Sequence, residues 1–313
     1  MLLTYNASLH KFLHDSLQAG FEISLSLHPE FSKMEIISRA EEIREILKPF
    51  KKIGKTIGLV PTMGAFHGGH ISLIDACVAD NDLSVTSIFV NPTQFNDKSD
   101  YEKYPRDIEK DLTVLRERNC DVAFVPSEKE IYPEEDTRQF DFGLLDKYME
   151  GKFRPGHFNG VAQIVTKLFN IIEPDKAYFG EKDFQQLVIV KSLVRQLNDP
   201  VQIITCPIVR EPDGLAMSSR NRLLTASQRK SAARIPATLL EAKELSERME
   251  IDKLKKYIIH EINLDSNLNT EYFEIVEETG LKPVNDWSEN VPKRGCIAVR
   301  IGSIRLIDNI KFS

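Results

Sequence analysis

Two histidines and three glycines stand together in residues 61–70, which read PTMGAFHGGH. The stretch follows an apolar run at 57–60 and precedes a helical pattern, which is typical of a loop between a strand and a helix. Glycine lets the backbone approach a ligand closely, and a helix start offers unpaired N–H groups to an anion. His67 and His70 add side-chain donors whose protonated form suits phosphate oxygens. The loop therefore indicates a triphosphate site, although it lacks the Gly-Lys-Ser/Thr ending of a Walker A loop.

Two other interpretations of this histidine pair stay open. His67 and His70 could be metal ligands three residues apart, but no third ligand follows at helical spacing, and zinc normally takes three protein ligands even in an open site. They could also be ordinary loop histidines beside a glycine turn, because short motifs often match by chance.

A second loop, SIFVNPTQF at 87–95, follows the next apolar run. Pro92 is expected to end the strand, so that Asn91 and Gln94 face a crevice. A carboxamide both donates and accepts hydrogen bonds, which suits a ligand that bears hydroxyls and a carboxylate. The alternative is a plain Asn-Pro turn.

A third loop, YFGEKDFQQ at 178–186, leads from a predicted strand into a helix. Lys182 offers a compact cation for an α-phosphate, and Asp183 can cap the helix. Gln186 lies one turn further on, on the face that would look into the same crevice. The alternative for Glu181 and Lys182 is a solvated surface pair, the commonest environment of such residues.

A fourth loop, DGLAMSSRN at 213–221, carries hydroxyls and a guanidinium together. Ser218 and Ser219 supply hydroxyl and backbone donors, and Arg220 supplies a planar fork that suits phosphate. The alternative is a flexible linker between domains.

A fifth stretch, GKFRPGHFNG at 151–160, precedes a helical pattern and contains Arg154 and His157. It could bind an anion, or it could be a turn built on Pro155 and Gly156.

Alternating strand and helix patterns must position these loops. Apolar runs typical of buried strands lie at 57–61, 83–91, 121–126, 177–179 and 201–209, and helical patterns lie at 70–80, 104–119, 161–172 and 183–197. This alternation predicts an α/β fold with a doubly wound, Rossmann-like parallel sheet. Because ligands bind beyond the carboxyl ends of such strands, the loops are expected to converge on one pocket.

The pattern changes after Arg210. Charged helical patterns from 225 to about 261 precede strand-like runs at 271–276, 296–301 and 304–307, which predict a smaller α+β C-terminal lid domain. Residues 34–52 show helical periodicity, and the stretch before them resembles neither a secretory signal nor a transit peptide. The predicted organisation has three parts. A disordered or loosely docked extension at 1–33 precedes a nucleotide-binding catalytic domain at 34–208, and the lid follows at 209–313.

Composition excludes several classes of protein. The 313 residues carry a formal net charge of −6, which argues against nucleic acid as a partner because such binding needs a basic face. No apolar stretch approaches the length of a membrane span. Cys77, Cys120, Cys206 and Cys296 form no C-x-x-C pair and predict reduced thiols in a cytoplasmic protein.

From Met34 to its end the chain closely resembles the pantothenate synthetase (pantoate–β-alanine ligase) family, which belongs to the nucleotidyltransferase superfamily with the HIGH signature. The matching stretches keep their order and are GLVPTMGAFHGGH, SIFVNPTQF, YPRD, RPGHFNGVAQIVTKLFN, FGEKDFQQL, DGLAMSSRNRLL and RLIDN. Two departures stand between functional positions: Phe66 replaces the usual leucine, and Thr93 replaces the usual methionine.

The resemblance implies a ligase with a two-step reaction. ATP and (R)-pantoate give an enzyme-bound pantoyl adenylate and pyrophosphate, and the amine of β-alanine then attacks the acyl carbon to give pantothenate and AMP. It also implies Mg²⁺ with ATP and a homodimer. The ligands of the metal stay unknown.

The resemblance also assigns residues, position by position. The catalytic positions are His70, His67 and Lys182. The implied ATP-binding positions are Met63, Gly64, Ala65, Phe66, His67, Gly68, Gly69, His70, Gly180, Glu181, Lys182, Asp183, Val209, Met217, Ser218, Ser219 and Arg220. The pantoate and β-alanine positions are Gln94 and Gln186. Asn91 is assigned to the same substrates because it lies in the second loop.

Three rival functions share parts of this pattern. A nucleotidyltransferase with an H-x-G-H loop would make a dinucleotide, and AMP production that depends on β-alanine would separate the two. A class I aminoacyl-tRNA synthetase would need a tRNA-binding surface, of which this acidic chain shows no sign. A non-catalytic nucleotide-binding protein would not need all the charged and polar loop residues, so their joint presence argues against this function.

Overall fold

A computed structural model of the protein describes residues 33–312. Within that range the strands are β1 Glu35–Ile37, β2 Ile57–Thr62, β3 Leu83–Ile88, β4 Val122–Phe124, β5 Lys176–Gly180, β6 Gln202–Cys206, β7 Leu268–Glu277, β8 Lys293–Ile301 and β9 Ile304–Lys311. The helices are α1 Ala40–Lys52, α2 Gly68–Asp80, α3 Lys98–Lys103, α4 Ile108–Glu117, α5 Glu128–Ile131, α6 Met149–Phe153, α7 His157–Ile172, α8 Phe184–Leu197, α9 Ala226–Ala232, α10 Arg234–Leu245 and α11 Ile251–Asn263.

The first six strands form one parallel sheet in the order β1-β4-β3-β2-β5-β6. Its central strands are buried, as expected when helices cover both faces; all six residues of β3 are buried, although three of them are Ser or Thr. The chain winds from β2 through β3 to β4 and then crosses back to β5 on the other side of β2. This reversal creates a crevice beyond the carboxyl ends of β2 and β5, where doubly wound sheets bind ligands. The predicted fold class is confirmed.

Pairing of β2 with β5 sets which loops become neighbours. Gly58 pairs with Lys176 and Leu59 with Ala177 in parallel register. The loop that leaves β2 therefore lies beside the loop that leaves β5, although more than a hundred residues separate them in the chain. The histidine loop and the lysine loop meet because of this one pairing.

Two predicted elements differ from those observed. Residues 35–37, predicted as part of a helix, form an edge strand paired with β4, and the helix begins only at Ala40. The helix predicted over 104–119 spans Ile108–Glu117, because Tyr104 precedes a proline and Asp107 caps the helix by accepting the N–H of Lys110. In the first place a pairing between distant residues outweighs the helical periodicity, and in the second a local cap does.

The C-terminal part forms an antiparallel sheet in the order β7-β8-β9, as predicted. The helical stretch before it divides into α9, α10 and α11. This sheet and these helices bury a second apolar core, which includes Ile258, Phe273 and Ile297. The described residues belong to one compact unit, and the domain boundary at 208 stays a prediction. Residues 1–32 of the predicted extension lie outside the described residues.

Within residues 33–312, no helix is both long enough and apolar enough to cross a bilayer.

Candidate active site

A cavity of about 220 Å³ lies beyond the carboxyl ends of β2 and β5. The predicted site residues that line it are Met63, His67, Gly69, His70, Asn91, Gln94, Gly180, Lys182, Asp183, Gln186, Val209, Met217, Ser218, Ser219 and Arg220. Five predicted residues are not among its lining residues: Gly64, Ala65, Phe66, Gly68 and Glu181. The structure thus brings four separate loops together at one cavity.

A buried carboxylate explains why part of the first loop does not face the cavity. The backbone N–H groups of Ala65 and Phe66 donate to the two carboxylate oxygens of Asp111 at 2.8 and 2.9 Å. Gly64 adopts φ +76°, and a Cβ there would lie 2.6 Å from Asp111 Oδ2. These residues therefore shape the loop around Asp111 instead of offering their N–H groups to a ligand. Sequence reasoning missed Asp111, because a charged residue in the pattern EKDL looks like part of an exposed helix face.

Replacing Asp111 with asparagine is expected to lower the free energy of unfolding by about 1–3 kcal/mol. The new amide group keeps one acceptor but turns a donor toward a buried N–H, which loses its partner. Urea unfolding of the variant measures this loss, and Glu109→Gln on the exposed side of the same helix is the control. Equal stability of D111N and the parent protein would contradict the proposed anchoring.

The two histidine rings lie side by side at the start of α2. Their centroids are 4.1 Å apart and their planes are tilted by 36°. Nδ1 of His67 accepts the N–H of Gly69 at 3.1 Å, which leaves Nε2 of a neutral ring as the donor. Nδ1 of His70 is buried and has no hydrogen-bond partner among the described residues. The other ring nitrogen, Nε2, makes no hydrogen bond to the described residues either, and it is the atom that the ring can offer to a ligand in the cavity.

Both imidazoles are neutral near pH 7 in this cavity. Burial, followed by the charges of Lys182 and Arg222, lowers the pKa of His67 to about 4. Burial and then His67 and Lys182 hold the pKa of His70 well below its ordinary value. The protonated form, which would suit phosphate oxygens, is therefore disfavoured in the ligand-free site, because burial beside cations opposes a further positive charge.

Acidification from about pH 7 to about pH 5 is expected to lower the free energy of unfolding by at most about 2 kcal/mol for each histidine that stays neutral in the fold. Burial lowers the pKa of His157 to about 3, so it and His67 should not bind protons that the unfolded chain takes up below its ordinary pKa of 6.5. Stability must then fall as the pH falls, and most carboxyls titrate only below this window. Urea unfolding at both pH values measures the loss. Ring NMR signals of His67 or His157 that titrate near 6.5 would contradict the prediction.

Hydrogen bonds from the Asn91 side chain to neighbouring residues hold the second loop in place. Asn91 donates to the carbonyl of Gly160 at 3.1 Å and to Oε1 of Gln94 at 3.2 Å, while its own oxygen accepts the hydroxyls of Tyr132 and Thr93. The Asn91 carboxamide therefore positions its neighbours and has little left for a ligand. Gln94 keeps its Nε2 group toward the cavity, where its contact within the protein is the weak acceptor Met63 Sδ.

The third loop is held by the C-terminal sheet. Nδ2 of Asn309, on β9, donates to the carbonyls of Glu181 and Lys182 at 2.8 and 3.1 Å. The Glu181 carboxylate turns away from the cavity to Arg294, 3.3 Å away. Lys182 projects into the cavity with its side chain 19% exposed, and its ion partner is Asp183 at 3.5 Å. Sequence reasoning assigned no role to Asn309 or Arg294, although Asn309 ends the quoted motif RLIDN.

The fourth loop closes over the first. A Cβ on Gly68 would lie 2.7 Å from the sulfur of Met217, so this glycine allows close packing of the two loops. The Ser218 hydroxyl accepts the N–H of Arg220, and the Arg220 guanidinium pairs with Asp100 at 2.8 Å. The guanidinium is thus held at the cavity edge with part of its donor capacity already in use.

The fold and the cavity define a class of protein. A doubly wound parallel sheet with an H-x-G-H loop and a lysine loop at its switch point is typical of nucleotide-binding α/β enzymes. Residues 35–311 match the family model described as pantoate-beta-alanine ligase. The chain belongs to the pantoate–β-alanine ligase family.

Individual relatives agree with this membership. The pantothenate synthetase of Porphyromonas gingivalis strain W83 is 50% identical over 279 residues, which are 89% of this chain and 99% of that protein. The pantothenate synthetase of Bacteroides thetaiotaomicron is 48% identical over the same shares of the two chains.

Solved structures agree as well. The crystal structure of pantothenate synthetase from Thermus thermophilus is similar with a TM-score of 0.83 and 39% identity, covering 89% of this chain and 99% of that one. The pantoate-beta-alanine ligase of Francisella tularensis, complexed with beta-gamma ATP and beta-alanine, gives a TM-score of 0.76 at 37% identity and covers 89% of this chain and 98% of that one.

Proposed function

We propose that this protein catalyses the ATP-dependent condensation of (R)-pantoate with β-alanine to pantothenate, AMP and pyrophosphate. The observation that carries the proposal is the convergence of the histidine loop and the lysine loop on one cavity in a member of this family. A pantoate carboxylate oxygen attacks the α-phosphorus of ATP, and pyrophosphate leaves. The β-alanine nitrogen then attacks the acyl carbon, loses a proton and displaces AMP.

The first and third loops would act on the phosphates. His67 Nε2, the His70 ring and the Lys182 ammonium face one cavity and supply donors without any covalent protein nucleophile. Catalysis would then rest on alignment of the two substrates and on stabilisation of charge at the α-phosphate and the departing pyrophosphate. Ser218, Ser219 and Arg220 border the same cavity from the closing loop.

Gln94 and Gln186 would bind pantoate. Both line the cavity, and the amide of Gln186 makes no hydrogen bond to other described residues, which leaves it for a ligand. Asn91 would serve by fixing Gln94, since its own donors and acceptors are used within the loop. A carboxamide pair can serve both the hydroxyls and the carboxylate of such a substrate.

A divalent cation, Mg²⁺ in our proposal, would accompany ATP. In the part of the chain that the structure describes, no three side chains of His, Cys, Asp or Glu cluster as metal ligands. The partly exposed Asp183 is a carboxylate that borders the cavity, and Mg²⁺ is commonly held by one or two carboxylates together with substrate phosphates. Asp183 could hold such an ion, which when bound would neutralise phosphate charge.

Two further parts of the proposal come from the family resemblance and the cysteines. The protein would be a homodimer, which sedimentation equilibrium tests directly. It would be cytoplasmic; the four cysteines are free and buried, in agreement with reduced thiols.

An AMP-release assay with one substrate omitted at a time tests the proposed function. AMP should form only when ATP, pantoate and β-alanine are all present, while pyrophosphate exchange into ATP should require pantoate alone. AMP release without β-alanine, or nucleotide transfer to a second nucleotide, would instead indicate a different nucleotidyltransferase.

A further inference from the structure

The orientation of the buried Asn91 carboxamide is set by a backbone carbonyl. Its Nδ2 group donates to the carbonyl of Gly160 at 3.1 Å and to Oε1 of Gln94 at 3.2 Å. Because a carbonyl oxygen only accepts, the Asn91 atom that faces Gly160 must be the nitrogen. The oxygen Oδ1 is therefore turned away from that carbonyl and needs a donor of its own.

Helix α7 carries Gly160 and can approach the second loop only because this residue is glycine. A Cβ there would lie 2.4 Å from the carbonyl oxygen of Thr93 and 2.7 Å from the backbone nitrogen of Gln94. At the start of the same helix, Nδ1 of His157 lies 2.8 Å from the carbonyl of Gln94. The helix therefore fixes both the backbone of the second loop and the direction of the Asn91 amide.

The direction of the Asn91 amide in turn decides the direction of the Gln94 amide. Because Asn91 presents its nitrogen, Gln94 must answer with Oε1, and Nε2 of Gln94 is left for the cavity. Within the protein this nitrogen meets the sulfur of Met63, a weak acceptor, at 3.1 Å. Gln94 thus offers the cavity a donor, and the ligand atom that meets it must be an acceptor.

Tyr132 supplies the donor that the Asn91 oxygen needs. Its hydroxyl donates to Oδ1 at 2.8 Å, although Tyr132 does not line the cavity. Burial raises the pKa of the Tyr132 hydroxyl above its ordinary value, so the group stays protonated and able to donate. The Thr93 hydroxyl lies 3.1 Å from the same oxygen, but Thr93 is exposed and water competes for it. Tyr132 is therefore the main donor.

The Tyr132 ring is itself held in place. It directly follows α5, where its backbone N–H donates to the carbonyl of Glu128 at 2.7 Å. The ammonium group of Lys167, on α7, lies 4.9 Å from the ring centroid, and the ring of Phe89 lies 6.3 Å away. Lys167 is held by the buried carboxylate of Asp136 at 3.4 Å. A cation over an aromatic face is attracted to it, so these contacts fix where the hydroxyl points.

We propose that Tyr132 is a positioning residue for the hydroxy-acid substrate, because its hydroxyl fixes the Asn91 amide that turns the donor of Gln94 into the cavity. This inference rests on the proposed function, in which Gln94 binds pantoate. Tyr132 acts through Asn91 and touches no reacting atom. Without its hydroxyl the buried Asn91 oxygen loses a partner, and the two amides are less firmly held in the orientation that pantoate needs.

Tyr132→Phe removes the hydroxyl and keeps the ring. The KM for pantoate in exchange of pyrophosphate into ATP should rise about five- to tenfold, as expected for loss of one neutral hydrogen bond. The KM for ATP and the kcat of exchange should stay within about twofold, since Tyr132 contacts none of the loops assigned to the phosphates. Tyr257→Phe is the matched control, because its hydroxyl bonds Glu241 in the C-terminal part, and it should change no constant.

A second variant tests which hydroxyl is responsible. Thr93→Val should change the KM for pantoate by no more than about twofold, because Tyr132 still supplies the shorter bond. A larger effect of T93V than of Y132F would transfer the positioning role to Thr93 and overturn the inference.

Combination with Gln94→Ala separates positioning from general support of the fold. In Q94A there is no amide left to orient, so adding Y132F should not raise the KM for pantoate further. An equal rise with and without Gln94, a parallel rise in the KM for ATP, or an unchanged KM for pantoate in Y132F would overturn the role of Tyr132. Absence of pantoate-dependent exchange in the parent enzyme would instead overturn the proposed function, and this inference with it.

Discussion

His70→Ala is expected to slow formation of the acyl adenylate by about a hundred- to a thousandfold, the usual cost of removing one donor that stabilises transition-state charge. Pantoate-dependent exchange of pyrophosphate into ATP measures this step without the amine. The loss should fall mainly on kcat, since the donor acts where charge develops, and less on the KM for ATP, which several loops share.

The geometry of the histidine pair supports this expectation. The His70 ring stands at the start of α2 with Nδ1 buried and without a partner among the described residues. The same ring lines the cavity, and its Nε2 makes no hydrogen bond to the described residues, so Nε2 is the nitrogen left for ATP. Because the pKa of His70 is held well below its ordinary value, the neutral ring is the form that meets ATP.

His260→Ala is the matched control for this variant. His260 lies on α11, far along the chain from the loops that line the cavity, and its loss should leave the exchange rate unchanged. A near-normal exchange rate in H70A at saturating ATP and pantoate would remove His70 from the chemistry.

The sequence alone predicts the doubly wound sheet and its loops well, for a physical reason. Strands buried on both faces avoid charged residues and favour β-branched ones, so Leu83–Ile88, which has no charge and contains Val85, Thr86 and Ile88, can be recognised without knowledge of its neighbours. Parallel strands point their carboxyl ends to one edge, so loops that follow them converge whatever their separation in the chain. The site could therefore be assembled from four stretches of sequence.

The supporting contacts could not be predicted in this way. Asp111 meets Ala65 across 46 residues, and Asn309 meets Lys182 across 127 residues. Neither has a local pattern that distinguishes it from a surface residue, because its partner is a backbone group brought near by tertiary structure. The short strand 35–37 escapes prediction for a similar reason, since only its pairing with β4 decides between strand and helix.

The protonation state of the two histidines could not be read from the sequence, because it depends on burial and on neighbouring charges. A histidine beside glycines suggests a cation for phosphate, but the structure buries both rings next to Lys182 and Arg222. The positive charge of the site is then supplied by lysine and arginine side chains, and the imidazoles contribute neutral donors. This division makes Lys182 the main candidate for direct charge neutralisation at the reacting phosphate.

Lys182→Ala is accordingly expected to lower the exchange rate by about a hundred- to a thousandfold as well. The ammonium group faces the cavity from a mostly buried side chain, and its distance of 3.5 Å from Asp183 is too long for a strong charged hydrogen bond. Asn309 fixes the turn beneath it through two carbonyls, so the backbone that carries Lys182 is held before any ligand binds. A preorganised cation needs no reorganisation as charge develops on the phosphorus.

Chemical rescue separates this role from a structural one. Added ethylammonium should restore part of the exchange rate in K182A, because a small cation can occupy the space that the side chain leaves, and it should not accelerate the parent enzyme. Lys191→Ala, further along α8 and outside the cavity lining, should behave as the parent enzyme does.

Because the two loops meet through the pairing of β2 with β5, the double variant H70A/K182A should lose less activity than the product of the two single losses. Independent, multiplicative losses would mean that His70 and Lys182 do not act on the same reacting phosphate.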